Sequence, residues 1–402
     1  MATRDDSQRN QRGLTAERLE SLDAYRGLVM LLLAFSAVNW DWMYAIEAAY
    51  PDSTLLKQLL RHFDHVDWEG IVLWDMIQSS FMFMVGVSLA YSYGSRQRRG
   101  HDFNKMFGHA AQRALLLVLL GIFLRSLGRE STYWTLEDVV SQIGLGYVGL
   151  FLLWNRPWRL QLGCALGLLL AYWLLFACWP LPESTYDYAA VDGKVYYDGF
   201  FAHWNKNAHP GHYFDQWFLN LFPREEPFVA NNGGYNTLNF VPSLSTMIFG
   251  LMAGEQLRIG KSGATNLKIL TFSGIVVVAA GWSLHFVGAC PIVKKVWTPS
   301  FGLVSTGYCL LTLALLYAVI DLLKWRSWSW PAGIVGRNSI AMYCMIYLIA
   351  PWILATLQRH FGESLFRAIG DQFQPLLENL AVGVCLWLIC YWMHRREIFL
   401  RI

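Results

Sequence analysis

The 402-residue chain is 55% hydrophobic and only 15% charged, with a mean hydropathy of +0.30 and a formal net charge of +3. Soluble domains carry about 25% charge, so a soluble globular protein is excluded and an all-α polytopic membrane bundle is expected. The basic residues cluster between apolar runs, which removes the case for nucleic-acid binding. Of the seven cysteines, six fall in apolar runs and none forms a CxxC or Cys/His pattern, so no metal is expected.

Residues 1–20 are polar, with Arg4, Arg9, Arg12 and Arg18. They lack the apolar region of a signal peptide and read as a solvated tail, ahead of one membrane domain over 21–402. A helix needs about 20 apolar residues to cross a bilayer. The hydrophobic runs predict about ten spans, near 24–46, 71–93, 108–127, 136–154, 160–180, 238–257, 267–287, 300–323, 333–356 and 375–394. Alternate connections hold Arg96, Arg98, Arg99 and Lys105, then Arg156 and Arg159, then Arg258, Lys261 and Lys268, then Lys324, Arg326 and Arg337, and finally Arg395, Arg396 and Arg401. The positive-inside rule makes that side cytoplasmic, with both termini inside and the acidic loop around Asp52, Asp64, Asp67 and Glu69 outside.

The first span opens SLDAYRGLVM. Asp23 and Arg26 are three apart and share a helix face. Arg26, at the inner boundary, serves either as a snorkelling anchor or as a contact to an anionic ligand. Asn39 lies near the outer end and needs a polar partner, either substrate or another helix.

The next stretch, HFDHVDWEGIVLWDMIQSSFMFMVG over 62–86, carries the strongest chemical signal. It begins wet, with His65, and continues into an apolar run that contains Asp75. A carboxylate facing lipid costs roughly 2.5–3.5 kcal/mol on insertion scales, so Asp75 is expected to face protein or water. With a helix starting near Glu69, Asp75, Ser79, Met82 and Gly86 fall on one stripe. A histidine at the mouth and an acid just below it form a plausible base and orienter; pairing of Asp75 with an arginine from another helix is the purely structural alternative.

Further along, Arg113 lies one turn inside the third span, and Gln142 sits among small apolar residues in the fourth. Both suit an internal polar path, and interhelical hydrogen bonding suits them equally. Residues 181–237 form a long outer segment rich in Tyr and Trp, with His203, His209 and His212. Such a segment suits a sugar contact or a lid on the membrane surface. Gly250 and Gly254, four apart, form a face for close helix contact, of the kind a homodimer would use. The turn CPIVKKVWTPSFG carries Lys294, Lys295 and Trp297, and GRNSIAMY carries Arg337, Asn338 and Ser339, which either meet phosphates or cap a helix. No internal repeat links the two halves, which lowers the case for a secondary transporter.

The ordered set SLDAYRG, HVDWEG before a span with Asp75 and FMFMVG, NFVPSLSTMIFGLMAG, PIVKKVWTPSF and GRNSIAMY resembles the transmembrane acyltransferases related to heparan-α-glucosaminide N-acetyltransferase and their bacterial relatives, from about Ser21 to Tyr343. The resemblance implies acetyl-CoA used from the cytoplasmic side and an amino sugar or glycan acetylated on the other, in a bacterial inner membrane. It makes His65 the catalytic residue and Asp75 its support. Asn39, Asp67, Trp68, Lys294 and Trp297 are then the expected substrate contacts. Arg26, Arg113, Gln142, Arg337, Asn338 and Ser339 are the expected coenzyme contacts. Three positions depart from the family pattern: Asn39 lies two positions late, Ile143 follows Gln142 where the family often has arginine, and Ile346 stands where the namesake carries histidine. A transporter or flippase of a sugar or lipid-linked sugar is the alternative function, and an assembly factor without activity is a third.

Overall fold

The computed structural model describes residues 19–259 and 262–400; the expected polar tail therefore lies almost wholly outside the described residues. The described residues fold as helices joined by loops and short 3-10 turns, with two isolated β-bridges and no strands. The fifteen α-helices among them are α1 (Glu20–Ala34), α2 (Trp42–Ala49), α3 (Thr54–Leu60), α4 (Met76–Arg98), α5 (Phe103–Arg125), α6 (Val139–Leu153), α7 (Trp158–Ala177), α8 (Pro210–Leu219), α9 (Phe240–Arg258), α10 (Gly263–Phe286), α11 (Pro299–Leu316), α12 (Trp330–Arg337), α13 (Ser339–Leu348), α14 (Ala350–Phe361) and α15 (Gln374–Arg395).

Every expected span contains a helix, but the helices are unequal. Among the described residues, six are long and apolar enough to cross a membrane, or up to seven if the pair α13 and α14, bent by 61°, counts as one span. The protein is thus a polytopic helical membrane bundle. α1 covers 15 residues, roughly 22 Å, and the chain then unwinds before α2. α4 is long enough, at 23 residues, but carries Gln78, several serines and two arginines in its last turn. It is a polar, buried helix rather than a lipid-facing one.

α4 lies at the centre, packed most extensively against α9. Glycine makes that approach feasible. A Cβ on Gly86 would stand 1.9 Å from the carbonyl oxygen of Met247, and one on Gly250 would stand 2.0 Å from that of Phe83. Gly254 likewise faces the backbone of Val87. The Gly250/Gly254 face, expected from its spacing to allow close helix contact, thus packs on α4 of the same chain. Around this pair, α10 packs on α11, α5 on α6, and α1 on α12, while α10 and α7 expose leucine, phenylalanine and valine on their outer faces.

The 181–237 segment is ordered over one end of the bundle. Trp204 is fully buried in a cluster with Trp68, Tyr172, Phe176, Val293 and Val296. Its aromatics thus serve first as core of a cap, with Tyr196 stacked flat on Trp68 at a centroid distance of 5.1 Å.

Candidate functional site

The helix expected to start near Glu69 starts at Met76, with Asp75 just ahead of it. Residues 70–75 form an irregular connection, beginning at Gly70 with φ of 116°. The backbone N–H of Trp74 donates to the carbonyl of His62 at 3.0 Å, which folds the segment back on itself. That fold brings His65 onto Asp75: Nδ1 and Oδ1 are 2.6 Å apart. The other carboxylate oxygen accepts the N–H of Val72 at 3.2 Å. Asp75 is completely buried, whereas the His65 side chain is 31% exposed. The partners of the Asp75 carboxylate are thus the His65 ring and a backbone N–H of its own connection, not an arginine.

A third charged group completes the centre. The loop before α11 is buried from Cys290 to Val296 except at Lys295, and is pinned by Gly70 N–H to the carbonyl of Ile292 at 2.9 Å and by the Glu69–Val293 bridge. It drives Lys294 inward, so that its Nζ lies 3.0 Å from Nδ1 of His65 and 3.5 Å from Oδ1 of Asp75. Burial takes the Lys294 ammonium down to about 8, against the pull of Asp75. Burial, together with the Lys294 charge, holds the His65 imidazole below its ordinary value near 6.5. Trp40 stacks on the imidazole at 5.8 Å and also meets Trp74 edge-on. Nothing in the residue pattern singled out Trp40; its only signal was its place beside Asn39 at the end of the first span.

His65 borders a cleft of about 530 Å³ at this end of the molecule, which also reaches Tyr44, Lys57, Arg61, Asp64, Asp67 and Glu69. A second cavity, of about 1080 Å³, opens at the arginine-rich end. Arg26, Arg96, Arg99, Arg113 and Arg337 line it, and Arg113 lies over the ring of Tyr147 at 4.9 Å. The cavity runs up α4 as far as Phe81 and along α6 to Val139, at the opposite end of that helix. Phe81 is six residues, roughly 9 Å of helix rise, from Asp75.

The remaining expected contacts separate into two groups. Ser339 lines the large cavity with Arg26, Arg113 and Arg337. Asp67 lines the cleft, but its carboxylate is held by Lys194 at 3.0 Å and the Tyr196 hydroxyl at 2.9 Å; it does not reach the His65 ring. Others are turned to structural partners. Gln142 donates to the carbonyls of Leu136 and Thr237, away from the cavity lining. Asn338 clamps the C-terminal segment through Ile398 and Leu400. Asn39 donates to Glu378 at 2.6 Å, and Asn379 holds the unwound backbone at Val38 and Asn39. Trp68 borders the cleft with its buried ring and donates to the Trp204 carbonyl. Trp297 is buried against Phe301. Lys294 faces His65 and Asp75 instead of the cleft. Among the described residues no group of three or more His, Cys, Asp or Glu side chains is placed to hold a metal ion.

The chain is 24% identical to human heparan-alpha-glucosaminide N-acetyltransferase over 442 aligned positions, which cover 96% of this chain and 60% of the relative. The same protein from Mus musculus is also 24% identical, with 99% of this chain and 62% of the relative covered. This chain thus spans less than two thirds of the length of the curated relatives it matches. No protein-family model matches it. The two matches, nearly end to end on this chain, support a relationship to the heparan-alpha-glucosaminide N-acetyltransferases.

Proposed function

We propose that this protein is a membrane acetyltransferase that takes an acetyl group from acetyl-CoA at the arginine-rich, cytoplasmic end and passes it to an amino sugar or glycan in the cleft at the His65 end. The observation that carries the proposal is the position of the bonded His65 and Asp75: His65 borders the outer cleft, and the large cavity ends at Phe81, roughly 9 Å of helix rise from Asp75. Arginines suit the coenzyme's phosphates as bidentate donors. The bilayer would be a bacterial inner membrane.

In this reading Asp75 accepts the Nδ1–H of His65, which leaves Nε2 with a lone pair toward the acceptor. His65 takes a proton from the acceptor nitrogen or oxygen as that atom bonds the thioester carbonyl carbon. The carbon–sulfur bond then breaks, and the electron pair leaves with the coenzyme thiolate, which the released proton neutralises. Acceptor and donor react in one ternary complex; attack by Nε2 itself would give an acetyl-histidine and ping-pong kinetics.

The test is to incubate the purified chain, in lipid vesicles, with acetyl-labelled acetyl-CoA and a panel of amino sugars. Label on a sugar, lost in His65→Ala, supports the proposal. Sugar accumulation in the vesicles without label would replace it with a transporter.

A further inference from the structure

Lys294 has almost no access to solvent: its side chain is 6% exposed, and it lies in a turn fixed on both sides by backbone hydrogen bonds. Its Nζ is 3.0 Å from Nδ1 and 3.4 Å from Nε2 of His65. The lone-pair directions of the two nitrogens diverge across an imidazole ring. A nitrogen nearly equidistant from both is in line with neither. The ammonium therefore does not occupy the Nε2 lone pair; it acts on the ring through its charge, and on Asp75 through an ion pair at 3.5 Å.

The charge matters because Asp75 alone would work against a base. A buried carboxylate 2.6 Å from an imidazole stabilises the imidazolium. A resting imidazolium has no lone pair with which to accept a proton. We propose that Lys294 is the positioning residue that cancels this effect, keeping His65 neutral and its Nε2 free. The proposal rests on the reading of His65 as the base of acetyl transfer and adds to it the group that makes His65 competent.

Other charges face the same ring. Asp64 accepts the backbone N–H of His65 at 2.7 Å, and Asp75 approaches from the start of α4. Lys294 comes from the turn before α11, with Lys295 beside it donating to the carbonyl of Asp67 at 2.7 Å. From the outer segment, the Tyr235 ring lies 5.7 Å from Lys294 Nζ. Two carboxylates thus favour the imidazolium, and Lys294 is the cation placed against the ring to oppose them. The depressed titration of His65, caused by burial and then by Lys294, agrees with this balance.

The full chain carrying ¹³Cε1-histidine is titrated in detergent micelles, and the His65 resonance, one of ten, is assigned by its absence in His65→Ala. In Lys294→Met the His65 midpoint should rise by about one unit, a tenfold change in proton affinity. Lys294→Arg should retain the low midpoint. An unchanged or lowered midpoint in Lys294→Met overturns the proposal, since a lysine that only packs would leave His65 titrating as before. If Lys294→Met does not fold, Lys294→Gln, which keeps an N–H for Asp75, carries the same expectation and the same refutation. The titration uses no acetyl donor or acceptor, so its outcome is independent of whether the chain transfers acetyl groups.

Discussion

The carbonyl oxygen of His62 accepts the backbone N–H of Trp74 at 3.0 Å, and that bond closes the loop that carries His65 onto Asp75. The contact at the catalytic candidate is thus made by backbone geometry ahead of α4, not by two side chains on one helix face.

Removal of either partner should separate binding from chemistry. Under the proposed mechanism, His65→Ala should abolish transfer while acetyl-CoA binding persists. Asp75→Asn should lower kcat by roughly 10²–10⁴-fold through loss of the imidazole's orienter. Steady-state kinetics and coenzyme binding by calorimetry check both. A full-rate His65→Ala enzyme would remove His65 from the chemistry.

The arginine-lined cavity makes a different prediction. Arg113→Ala, and separately Arg26→Ala, should raise the KM for acetyl-CoA by roughly 10- to 100-fold with kcat little changed, the loss expected for a charged hydrogen bond to phosphate. Arg26 also bonds Asp23 at 3.0 Å, so its variant is to be compared with Asp23→Asn. If neither arginine variant alters the coenzyme's KM, the donor does not enter there.

The pH profile follows from the direction of the His65 shift. In the proposed mechanism His65 acts as a base only when neutral. Burial and the Lys294 charge hold its protonation below the ordinary value near 6.5, so activity should persist below that pH and be lost as pH falls through the depressed midpoint. On the alkaline side, Lys294, brought to about 8 by burial, loses its charge, but at that pH the imidazole is neutral without it, so this pair adds no alkaline limb through His65. A kcat/KM profile with its acid limb above 6.5 would contradict this.

The α4–α9 contact predicts a stability effect unconnected with chemistry. Gly86→Ala sets a methyl 1.9 Å from the Met247 carbonyl oxygen, with backbone on the facing helix and nothing flexible to yield. Overpacking of this kind costs about 1–3 kcal/mol. Thermal unfolding in detergent should show a lowered midpoint for Gly86→Ala and Gly250→Ala. Gly108→Ala, where a Cβ meets nothing within 4 Å, should be close to neutral.

Much of this was legible in the sequence, for reasons that differ by residue. Arg26, Arg113, Arg337 and Ser339 line one cavity; each was readable as a polar residue at or near the end of an apolar run, a property its own segment carries alone. His65 and Asp75 were readable because an acid in an apolar run must find a partner and a histidine stood ten residues away. Gln142, Asn338 and Asn39 were less legible: an amide in an apolar run needs partners, but its residue type does not say whether they are ligand or protein. Here they are backbone carbonyls, a backbone N–H and Glu378.

By itself, then, the sequence determined a helical membrane protein with a polar centre at the head of α4, since hydropathy and short-range spacing are local quantities summed along the chain. Only the tertiary structure decided that Lys294, 229 residues from His65, is the third member of that centre, that Trp40 covers the ring, and that the Gly250/Gly254 face packs on α4 of the same chain. These depend on which helices meet and how closely, and that is fixed by long-range packing of backbone against backbone, which no single segment encodes.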